Sequence, residues 1–326
     1  MNIAHSELYI AVLLFSLLIT IFTEKRLIVI LRGKASQPIY EEGPSWHLKK
    51  KGTPTMGGLA FIITSVLCLV LSIIILLFFD RNNKAVISFT ISLIFSIANG
   101  LVGLFDDLTK LRRQDNAGFS PLQQLFLQFL LAILFLMARA HYLEYTTKFD
   151  LLSFTLDLGF MYYPFAIFII LGIINCANLT DGVDGLAGSV ALGIGLSFFY
   201  ISHSLFRDAA LLSILLIGIS VAFLVYNLHP AKIFMGDTGS LFLGALAVSC
   251  AFSVGNLLII LPFGCIYVIE GISVILQVVY YKLTKKRLFK MAPIHHHLEK
   301  IGMSEDKLCI SALIITLLVS LIINLL

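Results

Sequence analysis

In this otherwise apolar chain, carboxylates gather at a few short polar junctions, and their spacing is the first chemical signal. GLFDDLTKLRR, residues 103–113, sets Asp106 beside Asp107. Helix neighbours lie about 100° apart, so the two cannot face the same way. Adjacent carboxylates repel unless a cation or a functional demand compensates, although a solvated helix end followed by Lys110, Arg112 and Arg113 would also tolerate them. NLTDGVDGLAGS, residues 178–189, holds Asp181 and Asp184 behind Asn178. On a helix these two would share a face, whereas the two Asp-Gly steps favour turns. No Lys or Arg falls within residues 178–185, and ionisable groups at membrane depth are costly enough to read as functional.

Three more junctions carry polar signatures. YNLHPAKIFMGDTGSLFLG, residues 226–244, contains Asn227, Phe234 and Asp237; Asp237, Thr238 or Ser240 would make a good N-cap for the next helix, and Phe234 is an aromatic able to stack on a base or simply to pack. MAPIHHHLEK, residues 291–300, carries His295, His296 and His297. Consecutive side chains diverge and no Cys accompanies them, so phosphate contact or proton handling suits them better than zinc. KKKGTPTMGG, residues 49–58, places Lys50 and Thr55 before a Gly pair that opens a helix. That arrangement suits phosphate, a positive-inside anchor explains it equally well, and the order of a Walker A loop is absent. Together these residues have the composition of a Mg²⁺-dependent phosphate site, because Mg²⁺ prefers one or two carboxylates plus substrate phosphates and phosphoryl transfer asks mainly for positioning and charge neutralisation.

The elements that must position them are membrane helices. Of 326 residues 59% are hydrophobic and 13% charged, with a mean hydropathy of +0.97, which excludes an ordinary soluble domain. Ten apolar windows of spanning length fall at 8–23, 57–79, 85–105, 122–138, 161–177, 186–203, 209–227, 239–254, 257–281 and 309–325. Only SVGN separates the eighth from the ninth. The expectation is a single all-α integral-membrane domain over residues 1–326. Grouping the five polar junctions on one side collects 18 of the 23 Lys and Arg there. The positive-inside rule makes that side cytoplasmic and puts both termini outside. The first span has no basic n-region or A-x-A site and reads as retained. The net charge of +4 then reflects topology and anionic lipid headgroups of the bilayer, not nucleic acid. Residues 139–160 suggest a hairpin or a plain loop on the outer side. Glu270 is the one acid deep in a span, and the five cysteines read as packing.

The ordered set KKGTPTMGG, LFDD, NLTDGVDGLAG, IFMGDTGSL and PIHHHLE resembles the polyprenyl-phosphate N-acetylhexosamine-1-phosphate transferases over the whole chain. The resemblance implies ten transmembrane helices in the bacterial inner membrane, a site facing the cytoplasm, Mg²⁺, and two substrates. A phosphate oxygen of undecaprenyl phosphate would attack the β-phosphorus of UDP-N-acetylmuramoyl-pentapeptide and release UMP, in cell-wall peptidoglycan synthesis. By matched motif positions, Asp237 resembles the metal ligand, and Asp106 the base or orienter for the lipid phosphate with Asp107 beside it. Gly182, Asp184, Lys110 and Phe234 resemble the nucleoside pocket; Asn178, Asp181 and Asn227 the sugar-phosphate or metal-proximal contacts; Lys50, Thr55 and His295, His296 and His297 the substrate and diphosphate contacts. Direct attack is favoured, with a two-step aspartyl-phosphate route and a homodimer left open. The alternatives are a transferase using UDP-N-acetylglucosamine, against which the PIHHHLE and KKKGTPTMGG stretches argue, and a secondary transporter, whose carboxylates belong at the midplane rather than at helix ends on one side.

Overall fold

A computed structural model describes residues 3–35, 50, 52–78, 83–113, 118–143, 146–151, 154–205 and 207–325, so Lys49 and Lys51 of the KKKGTPTMGG stretch lie outside the described residues. Twelve helices occur among them: α1 Ile3–Leu31, α2 Gly58–Phe78, α3 Lys84–Arg113, α4 Pro121–Tyr142, α5 Tyr162–Thr180, α6 Leu186–Ser202, α7 Arg207–Asn227, α8 Gly236–Val254, α9 Ile260–Phe263, α10 Cys265–Thr284, α11 Ile294–Lys300 and α12 Glu305–Leu325. Nine are long and apolar enough to cross a membrane, and α6 is a shorter apolar helix of 17 residues. At 1.5 Å per residue α6 reaches roughly 26 Å, a little under the hydrocarbon thickness of about 30 Å. The expected all-α, multi-span architecture is therefore present.

One expected span is divided. The apolar run 257–281 predicts one continuous span, yet a 3₁₀ turn over Leu257–Ile259 and the four-residue α9 precede α10. Pro262 lacks an amide hydrogen, and Gly264 caps the break while its N–H still reaches the Ile260 carbonyl at 2.7 Å. The short SVGN link suffices because Gly255 adopts φ +84° and the Asn256 side chain accepts from the Leu258 amide at 3.1 Å. Of the hairpin or plain loop expected within residues 139–160, the hairpin forms: β1 Lys148–Leu151 pairs antiparallel with β2 Phe154–Asp157, Lys148 opposite Asp157 and Leu151 opposite Phe154.

Helix α8 is the axle. Every residue from Gly236 to Ser253 except Asp237 is buried, against α2, α3, α5 and α7. In lipid, helices associate by close packing of small residues, and GDTGSLFLGALAVSCAFSV supplies them. Two approaches are tight: a Cβ at Gly103 would overlap the Asp237 carbonyl, and one at Gly58 would overlap the Gly239 backbone. Backbone bonds then zip residues 54–58 to 234–235, Phe234 N–H to Pro54 O (2.8 Å), Gly57 N–H to Phe234 O (2.8 Å) and Gly58 N–H to Met235 O (3.0 Å). Helices α2 and α3 are thus pinned to the first turn of α8, where Asp237 stands. By contrast, α2 and α4 expose rows of Ile, Leu, Val and Phe, as helices facing lipid tails do.

Candidate active site

The up-and-down order brings the ends of α3, α5 and α7 and the starts of α2, α4, α6 and α8 to one face. Asp106 and Asp107 diverge as helix geometry demands. Asp107 turns into the N-terminus of α8 and accepts from Thr238 Oγ1 (2.6 Å), Thr238 N–H (3.0 Å) and Asp237 N–H (3.2 Å). The free amides of a helix start need acceptors, and here another helix provides them. Consequently Asp237 is not spent as its own helix's cap. Gly236, at φ +69°, lets Asp107 reach in, since a Cβ there would crowd the Asp107 Oδ2.

Asp106 turns the other way. Its carboxylate accepts from the Phe119 amide and pairs with Lys110 at 2.7 Å, and Lys110 in turn holds Asp237 Oδ2 at 2.8 Å. The loop before α4 is set by a capping box, in which Ser120 Oγ accepts from the Gln123 amide (3.3 Å), Gln123 Oε1 accepts from the Ser120 amide (2.9 Å), and Pro121 opens the helix. Gly118 lies so close to Asp106 that any side chain there would strike it. A cavity of about 770 Å³ opens beside this cluster, lined by Asp106, Lys110, Arg113, Phe119, Gln124 and Asp237 among others.

The turn after α5 separates the other carboxylates. Asp181 caps α5 and Gly185, at φ +79°, starts α6, so the segment is a turn and the two do not share a helix face. Asp184 enters a second cluster. It binds Lys50 Nζ (2.7 Å), the Ala231 amide (2.9 Å) and His229 Nδ1 (3.2 Å), while Glu305 accepts from Lys50 (2.7 Å) and from the Asp184 amide (2.9 Å). Burial disfavours the Lys50 ammonium, yet its hydrogen bonds to Asp184 and Glu305 hold its pKa above the usual lysine value. Sequence reasoning missed His229 and Glu305. Glu305 carried a signal in hindsight, as the first acid of a helix that starts near the basic stretch 282–300.

Asp181 takes no part in the hydrogen bonds of that second cluster among the described residues. Burial, followed by the charges of Asp237, Asp107 and Asp184, pushes its carboxyl well above the usual carboxylate range, with Lys50 opposing. The ionised form is the penalised one, so its cost is absent at low pH and grows as pH rises above the ordinary value of about 4. The melting temperature of metal-free protein is therefore expected to fall as pH climbs from that value toward neutrality, and to fall less in Asp181→Asn. Equal slopes for the two proteins would remove Asp181 as the cause.

The remaining candidates fall into place around these clusters. Asn227 spends both ends of its amide inside the protein, accepting from the Gly185 amide (2.9 Å) and donating to the Ile233 carbonyl (2.8 Å), so it braces the two junctions. Phe234 is half-buried beside the zipped segment, and Thr55 is buried with its hydroxyl near Gly236. Asn178 is half-buried, its carbonyl accepting from the Asp181 amide at 3.1 Å. The three histidines diverge: His295 Nδ1 meets Glu270, His296 Nδ1 meets Glu299 at 2.7 Å, and His297 Nδ1 accepts from the Lys290 amide at 3.2 Å.

The donor set suits a hard divalent cation. Asp106, Asp107 and Asp237 each offer an oxygen within 4.8 Å of the others, and Lys110 is the ammonium paired with Asp106 and Asp237. The fold is that of a polytopic membrane protein with a carboxylate–lysine cluster at one end of its helices, and residues 89–255 match glycosyl transferase family 4, which makes the protein a membrane transferase. A phospho-N-acetylmuramoyl-pentapeptide-transferase signature covers residues 50–62, including Lys50, Thr55 and Gly58. The chain is similar to proteins of that name from Staphylococcus epidermidis (39% identity, 90% of this chain and 91% of the relative), Bacillus subtilis strain 168 (38%, 92% and 91%) and Thermoanaerobacter sp. strain X514 (41%, 87% and 87%). It belongs to the phospho-N-acetylmuramoyl-pentapeptide-transferase family.

Proposed function

We propose that the protein transfers phospho-N-acetylmuramoyl-pentapeptide from its UDP-linked form to undecaprenyl phosphate at the cytoplasmic face of the bacterial inner membrane. The observation that carries this reading is the Asp106–Lys110–Asp237 cluster beside a cavity that Lys110 and Arg113 line together with the two carboxylates, at one end of the helix bundle. The names of the relatives favour it over the UDP-N-acetylglucosamine alternative. The excess of Lys and Arg at the same junctions supports the cytoplasmic orientation.

In this reading the lipid phosphate enters the cavity lined by Lys110 and Arg113, which neutralise it. A phosphate monoester has a second pKa of about 6 and is largely ionised near neutrality, so Asp106 orients the nucleophile and takes whatever proton remains. The nucleophilic oxygen forms a bond to the phosphorus next to the sugar, the bridging P–O bond breaks, and UMP departs with the electron pair. Asp237, with Asp106, would hold Mg²⁺, which when bound supplies charge neutralisation on the diphosphate. Asp107 acts indirectly by anchoring the α8 start. Lys50 and Asp184 meet the sugar nucleotide on the far side of Asp181, with Phe234 available to stack on the uracil.

The test is UMP release from UDP-N-acetylmuramoyl-pentapeptide and undecaprenyl phosphate in detergent, with and without Mg²⁺. Metal-dependent release with a diphosphate-linked lipid product is expected. Release only from UDP-N-acetylglucosamine would replace the substrate, and uptake into liposomes without any UMP would replace the reaction.

A further inference from the structure

Glu270 lies in the second turn of α10, and a carboxylate buried in a membrane helix demands a partner. That partner is His295, the first histidine of α11. Glu270 Oε2 stands 3.0 Å from His295 Nδ1 and 3.4 Å from the His295 amide nitrogen, and both side chains are almost fully buried. With Nδ1–H donated to the carboxylate, the ring is locked and Nε2 is the nitrogen left to act. Nε2 is buried and makes no hydrogen bond among the described residues. An orphaned buried polar group costs about 1–3 kcal/mol, which argues that a ligand completes it. Its position says where that ligand lies. The ring edge presses on Gly182, where a Cβ would overlap Nε2. Gly182 follows Asp181, the residue whose charge couples to Asp237 and Asp107 on one side and Asp184 on the other. Nε2 therefore abuts the seam between the two carboxylate clusters, where no Lys or Arg is supplied by the turn itself.

The geometry points to Glu270 as a positioning residue that fixes His295 so that Nε2 is presented to the diphosphate of the sugar nucleotide. This rests on the proposed transfer reaction and adds a contributor from α10, outside the junction motifs. With Glu270 behind Nδ1, the ring edge that carries Nε2 stays turned toward the turn that holds Asp181 and Gly182. Gly182 is required to be small for the same reason, because only a bare α-carbon leaves the ring edge its place.

The experiment is a double-mutant cycle of Glu270→Gln and His295→Ala, with kcat and KM measured separately for each substrate and melting temperatures recorded in detergent. Glu270→Gln keeps shape and an acceptor for Nδ1–H and removes the charge. Partners that orient a metal-bound histidine typically matter by about 10–100-fold, and a loss on that scale is taken for Glu270. The expected result is a fall of that size in kcat/KM for the sugar nucleotide, an unchanged KM for the lipid phosphate, and little change in melting temperature. His295→Ala should lose at least as much, and the double variant no more than His295→Ala alone. Additive losses, equal rises in both KM values, or wild-type kinetics in Glu270→Gln would each overturn the proposal. Failure of the wild type to use UDP-N-acetylmuramoyl-pentapeptide would fall on the assigned substrate instead, and the same cycle would then be read with the UDP-sugar that the wild type does turn over.

Discussion

Asp237→Asn is expected to lower kcat by about 10²–10³-fold, the scale seen when one preorganised electrostatic group is removed from an active site, while the protein melts close to the wild-type temperature. The structural reason is a division of labour at the start of α8. Helix capping there is done by Asp107, through Thr238 and the Asp237 amide, so the Asp237 side chain is released from structure and pairs with Lys110. Asparagine preserves its volume and leaves Lys110 its contact with Asp106. The contrasting variant is Asp107→Ala, which strips the cap and should cost about 1–2 kcal/mol together with activity, because α8 loses its register. Turnover and Mg²⁺ dependence measured with both substrates, beside melting curves, separate the two. Unchanged turnover in Asp237→Asn would withdraw Asp237 from the metal role.

Gly58→Val should be the most damaging change away from the chemistry. A Cβ at this position would overlap the amide nitrogen and α-carbon of Gly239, so backbone must move rather than a side chain. Overpacking costs typically 1–3 kcal/mol and occasionally more, and a backbone clash at the most buried helix belongs at the upper end. Because residues 54–58 are zipped to 234–235, the displacement is passed to Asp237, and activity should fall with stability. Gly172→Ala is the control, since a Cβ there meets nothing within 4 Å. Equal melting temperatures for Gly58→Val and Gly172→Ala would refute the close-packing account.

How far the site was legible in the sequence differs residue by residue. Polar junctions stand out because in a chain of this hydropathy a carboxylate has few places to be, and those junctions do converge. The 100° argument for Asp106 and Asp107 was local, and the divergence it demanded is present. Their destinations were not legible: nothing near GLFDD says that Asp107 will cap a helix starting 129 residues later at Gly236. The same holds for Asp181 and Asp184, for which local rules allowed a shared face or a turn. The turn sends Asp184 to Lys50 and Glu305 and leaves Asp181 out of that cluster. His229 and Glu305 are not legible in the sequence, because a single His or Glu beside a helix end carries little signal until its partners are known. Glu270 was noticed as a buried acid, and its pairing with His295 across 25 residues needed the fold.

The sequence by itself determined that the chain is a helical membrane protein, which junctions are polar, and which motif family it resembles, since hydropathy, helix period and charge bias act over a few residues. Only the tertiary structure decided which carboxylate is free for chemistry and which is consumed by structure. That choice depends on helix ends meeting from distant parts of the chain, through glycine contacts at Gly58 and Gly103 and the hydrogen bonds of Asp107. A buried polar group must be satisfied by whatever packing brings within reach, and one-dimensional spacing carries no record of that reach.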